Sequence, residues 1–197
     1  MTVNTKHNPD KHHRRTIRLC GYDYSCDGLY FITVCCQGRA CLFGEIVDGE
    51  MILNPAGRMV EKCWLDIPKH FPHAVLHDYI IMPNHVHGII ELTDVVAGAT
   101  NVRAKNFSPL PRQSQFRSPS KTIGSIVRGF KIGVTKWMRQ NTDTFPVWQR
   151  NYYEHIIRNA ESYGNIAEYI ITNPARWQDD NLYYASIPKR MNRNGKR

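Results

Sequence analysis

His85-Val86-His87 lies where the apolar run Tyr79-Ile80-Ile81-Met82 breaks at Pro83-Asn84 and resumes as Gly88-Ile89-Ile90. Side chains alternate between the two faces of a strand, so His85 and His87 share one face about 7 Å apart while Val86 points into the core. A neutral imidazole offers a lone pair to a metal ion near neutral pH, and a rigid strand holds two of them together, which makes half of a metal site. The alternative is two ordinary histidines on a solvated sheet face. A second set of residues stands far downstream, where Asn165, Tyr169 and Asn173 recur every four residues beside the buried stripe of Ile166 and Ile170. If that helix packs beside the His-bearing strand, the Asn173 amide oxygen becomes a third ligand, with Tyr169 one turn before it.

Such a set has a narrow chemistry. A phenol with a reference pKa near 10 is a poor nucleophile at neutral pH, but a divalent ion that polarises a phosphodiester makes attack by an activated phenolate feasible. The product is a phosphotyrosine link between protein and nucleic acid. Two imidazoles and an amide oxygen leave positions for water and phosphate oxygens, which suits Mg²⁺ or Mn²⁺, although imidazole also accepts Zn²⁺.

The elements that must position these groups are readable in outline. Leu29 to Cys36 is rich in β-formers and predicts a central strand; Glu45-Ile46-Val47 and Met51-Ile52-Leu53 predict a hairpin turning at Asp48-Gly49. Asn54 caps a helix with Pro55 in its first turn and apolar residues at helical spacing until Pro68 stops it. Ala74 to Met82 and His85 to Leu92 predict antiparallel strands joined at Pro83-Asn84. Lys121 to Gln140 predicts a helix, Phe145 to Gln149 a short strand, and Asn159 or Ser162 caps a last helix that Pro174 ends. That order predicts an α+β, ferredoxin-like antiparallel sheet with helices on one face, plus the accessory hairpin and a C-terminal helix carrying Tyr169.

At 197 residues, one domain over 19–178 is expected, flanked by a basic arm at 1–18 and a basic tail at 179–197. Residues 93–120 are rich in Pro, Ser, Arg and Lys and are expected to form a basic loop. The net charge of +9 favours a polyanionic partner. Arg14, Arg15, Arg128 and Lys131 are the expected contacts to a phosphate backbone. No membrane-length apolar run and no secretory leader is visible, so the expected location is the cytoplasm. The cysteines contain no C-x-x-C pair and are expected to stay reduced.

The residues Gly21-Tyr22-Asp23-Tyr24, Leu42-Phe43-Gly44-Glu45, Met82-Pro83-Asn84-His85-Val86-His87, the segment Trp148 to Arg158, and Glu168-Tyr169-Ile170-Ile171-Thr172-Asn173-Pro174 resemble the single-tyrosine HUH transposases. The likeness is to the REP-associated branch and covers roughly residues 14–178. Asn173, where insertion-sequence relatives carry Gln, is as in that branch. The resemblance implies an HUH endonuclease fold, a divalent ion (Mg²⁺ or Mn²⁺) on His85 and His87, and attack by Tyr169 on single-stranded DNA. It further implies a 5′-phosphotyrosine with a free 3′-OH, recognition of hairpins in repeated palindromic elements, and a monomer in preference to a homodimer. Two other readings stand beside it: a non-cleaving DNA-binding regulator of the same fold, and a metal-dependent hydrolase whose nucleophile is water.

Overall fold

The computed structural model describes residues 26–93 and 121–183. The most apolar segments become the central strands of one sheet: β1 (Gly28–Cys35) pairs antiparallel with β5 (His85–Leu92), Thr33 opposite His87 and Cys35 opposite His85. A hairpin at Pro83-Asn84 adds β4 (Ala74–Met82) on one edge, and β6 (Tyr153–Ile157) occupies the other, giving the order β4-β5-β1-β6. All three pairings are antiparallel, so the expected α+β ferredoxin-like sheet is present. A separate ribbon, β2 (Gly44–Val47) with β3 (Glu50–Leu53), turns at Asp48 and Gly49, whose φ values of 52° and 79° fit the type I′ geometry of a tight hairpin.

Alternation along β1 divides the sheet. Tyr30, Ile32 and Val34 face the larger core with Val86 and Ile90, whereas Leu29 and Phe31 face a smaller one with Ile89. Two helices cover the first face. α1 (Pro55–Leu65) starts at Asn54, whose side chain accepts from the Gly57 amide at 2.9 Å, and buries Val60 and Trp64. Gly88 makes room for that packing, because a Cβ there would meet the Trp64 ring at 2.3 Å. α3 (Ile123–Asn141) lays Ile126, Val127, Phe130, Val134 and Met138 beside α1. α4 (Ala160–Thr172), capped by Asn159, crosses the opposite face over β4 and β5. There Ile170 and Tyr163 close the smaller core, and the Tyr163 hydroxyl donates to Asp78 at 2.9 Å.

Two local expectations are corrected. Phe145 to Gln149 is not a sheet strand; it contributes one isolated bridge, Cys36 to Trp148, and the edge of β1 is taken by β6. Pro146 has no N–H for a ladder, while Tyr153–Ile157 offers a continuous run of donors in register with Leu29 to Thr33. Pro68 does not stop α1, which ends at Leu65; it sits in the first turn of a short α2 (Ile67–His70), where a missing N–H costs nothing. The expected arm with Arg14 and Arg15, the loop from 94 onward to 120, and the tail beyond 183 lie outside the described residues. The described cysteines form no disulfide, and no described helix is long and apolar enough to cross a membrane.

Candidate functional site

The site forms where β5 meets α4. His85 and His87 emerge on the same face with ring centroids 4.4 Å apart, both almost fully buried. α4 brings Tyr169 over them, its hydroxyl 3.1 Å from Nε2 of His87. Asn173, the residue that ends α4, is also buried there. Four residues expected to act together therefore converge, although they come from two elements far apart in the chain.

Sequence reasoning missed the fifth. The chain leaves α4 through a 3-10 turn at Pro174–Asp179 that packs Trp177 against the His85 ring, and the next residue, Asp180, turns back into the site. Its carboxylate is nearly buried, with Oδ2 3.8 Å from Nε2 of His85 and accepting from Nδ2 of Asn173 at 3.0 Å. One donor atom each from His85, His87 and Asp180 lies within 4.8 Å of the others, a spacing that can hold a metal ion. Asp180 falls in the segment assigned to the basic tail. Its only sequence signal is a carboxylate shortly after an aromatic residue, which says nothing about the return of the chain.

Hydrogen bonds fix the tautomer of His85 and the orientation of both rings. Nδ2 of Asn84 donates to the carbonyls of Arg39 and Leu182 at 3.2 and 2.9 Å, so Oδ1 is the atom facing His85, and at 2.7 Å from Nδ1 it must accept. The proton of His85 therefore sits on Nδ1, and Nε2 carries the lone pair. Nδ1 of His87 pairs with the Thr33 hydroxyl at 2.8 Å, which leaves its Nε2 toward Tyr169. Orienting a ligand imidazole through its other nitrogen is how proteins pre-set a metal centre. Thr33 and Asn84 were visible only as a strand residue and a turn residue.

Electrostatics agree with a pair of neutral donors. Burial, assisted by the Arg39 charge, lowers His85 to about 3. His87 is held well below the usual histidine range by burial and by its neighbour His85, against the opposing pull of Asp180. The Tyr169 phenol is raised by burial and by the Asp180 carboxylate, with Asn173 acting the other way. Nε2 of His85 and Oδ1 of Asn173 are buried without a hydrogen-bond partner. Each would cost on the order of 1–3 kcal/mol if nothing met it, so the donor set fits a cation.

The remaining expected residues lie elsewhere. Arg128 is exposed on α3, and Nζ of Lys131 donates to the carbonyls of Gln149 and Asn151, both at 2.9 Å. Both line a groove of about 850 Å³ with Lys136, Arg139, Arg150 and Tyr152, on the sheet face opposite Tyr169.

This arrangement of sheet and helices is similar to the solved structure of a REP-associated tyrosine transposase bound to a REP hairpin. The TM-score is 0.52 at 19% identity, over 79% of this chain and 72% of that one, so what the two share is the fold. The chain belongs to the same family as an uncharacterised protein of Haemophilus influenzae, with 50% identity over 182 residues, 92% of this chain and 99% of that protein. No protein-family model matches the chain.

Proposed function

We propose that this protein is a tyrosine transposase that cuts and transfers single-stranded DNA at hairpins of repeated palindromic elements. The observation that carries the reading is the Tyr169 hydroxyl, 3.1 Å from Nε2 of His87 and beside the His85, His87 and Asp180 donor group. His85 and His87 would hold a divalent ion, Mg²⁺ or Mn²⁺, with Asp180 and the Asn173 oxygen as further donors. Two oxygen donors, one of them charged, favour a hard cation more than two imidazoles alone. Bound there, the ion would polarise the scissile phosphodiester and favour the phenolate.

The chain's own groups then account for the rest. Tyr169 attacks phosphorus, the bond to the 3′ oxygen breaks, and the leaving oxygen takes up a proton in place of the one the phenol gives up. The outcome is a 5′-phosphotyrosine and a free 3′-OH, and the reverse attack by a 3′-OH transfers the strand. Arg128 with Arg14 and Arg15 would track phosphates, and the basic groove along α3 extends that surface.

A labelled single-stranded hairpin incubated with the protein and Mn²⁺ should yield an adduct that survives denaturing electrophoresis and is lost in Tyr169→Phe. Cleavage without an adduct would indicate water as the nucleophile. Binding without cleavage would indicate a regulator.

A further inference from the structure

α4 covers only part of the sheet face that carries the site. It packs over β4 and β5. At the β1 and β6 end, Phe31, Tyr153 and His155 therefore face a cavity of about 470 Å³, walled on its other side by Asn159, Glu161 and Asn165 at the start of α4. Tyr153 is 43% exposed, which leaves its ring able to receive another flat group.

Phe31 joins this cavity to the reacting groups. Its ring stacks on His87 at 5.3 Å and 26°, and meets Tyr169 and Tyr153 edge-on at 6.2 and 6.3 Å. A nucleotide whose phosphate lies at Tyr169 would have its base within reach of Tyr153. Charge then decides which part of the nucleotide enters. The described lining holds no lysine or arginine and does hold Glu161, so it repels a phosphate and accepts an uncharged heterocycle. The route is continuous as well: Tyr152 lines the basic groove on the other sheet face and Tyr153 this cavity, so a strand crossing the β6 edge passes from one to the other.

The geometry points to a nucleobase subsite in which the base beside the scissile phosphate stacks on Tyr153 against Phe31 and is read by Glu161 and Asn165. A carboxylate accepts from the exocyclic amino group of adenine, cytosine or guanine; thymine offers only N3–H, set between two carbonyl oxygens that repel a carboxylate, so it is disfavoured. The inference rests on the single-strand reading above and names the base-selecting part of that site.

Fluorescence anisotropy with short homo-oligomers of dA, dC and dT, in the Tyr169→Phe background to avoid covalent capture, tests it. Tyr153→Ala should weaken binding about 5- to 100-fold, and Tyr153→Phe should restore it, since base stacking on an aromatic ring is sequence-tolerant and needs no hydroxyl. The salt slope should not change, because no phosphate contact is lost. Glu161→Gln should shrink the preference for dA and dC over dT by about threefold or more. Both positions are exposed, and unchanged thermal melting confirms that the variants fold. Binding indifferent to Tyr153 and Glu161, or a Tyr153→Ala loss that arises through the salt slope, overturns the subsite alone. Failure to bind any oligomer overturns the functional reading and the subsite with it.

Discussion

The Tyr169 hydroxyl and Nε2 of His87 are 3.1 Å apart across 82 positions of sequence, so the lone pair His87 would give to an ion is the one that faces the phenol. Ion and phenol share one acceptor. Removing the hydroxyl should therefore leave Mn²⁺ affinity undiminished and raise it by up to about tenfold, the worth of one ordinary hydrogen bond. Isothermal calorimetry on Tyr169→Phe measures this; weaker binding would mean that the phenol oxygen is itself a ligand.

Asp180 and Asn173 are unequal as further donors. The carboxylate brings charge and lies 3.8 Å from Nε2 of His85, whereas the amide reaches the group through its hydrogen bond to that carboxylate. Asp180→Ala should cost about tenfold or more in Mn²⁺ affinity, and Asn173→Ala less. Reversal of that order in the same titration would return Asn173 to the ligand position expected from sequence.

Acid should destabilise the fold before it protonates the site. His85 is lowered to about 3 and His87 well below its usual value, both chiefly by burial, whereas in the unfolded chain each titrates near 6.5. Between those values the unfolded state binds protons that the folded state does not. For His85 stability is thus fully present above about pH 6.5 and falls as the pH drops toward 3, by on the order of 1 kcal/mol per unit, and His87 acts in the same direction. Urea titrations of the metal-free protein at several pH values should show this slope, and His85→Gln should reduce it.

Arg128 and Lys131, alike as basic residues on α3, should separate experimentally. Arg128 is exposed, so Arg128→Ala should reduce the salt slope of DNA binding by about 1 and leave melting unchanged. Lys131 is lowered to about 8, mainly by burial, and bonds two carbonyls of the loop that leads into β6. Lys131→Met should instead cost about 1–3 kcal/mol of stability, read from the urea midpoint.

Much of this was legible locally. β4 and β5 run over the residues that their patterns mark, and Asn54 and Asn159 cap the helices that follow them. The false strand at Phe145 to Gln149 shows where local reading stops: Trp148 bridges only to Cys36, just past the end of β1, whereas Tyr153–Ile157 pairs with Leu29 to Thr33, and neither segment's own residues say how much of that edge it will meet. Asp180 was invisible for a related reason. Its role depends on a turn through Trp177 that folds the chain onto His85, a contact that no spacing encodes.

What the sequence by itself determined is the pair of imidazoles on one face of a strand, and a phenol and an amide aligned on a helix, because both follow from the backbone repeat of a single element. Only the tertiary structure decided that α4 crosses the face opposite α1 and α3, that Thr33 and Asn84 orient the imidazoles, and that Asp180 joins them. Each of those outcomes depends on which distant surface is left to be buried once the others have packed.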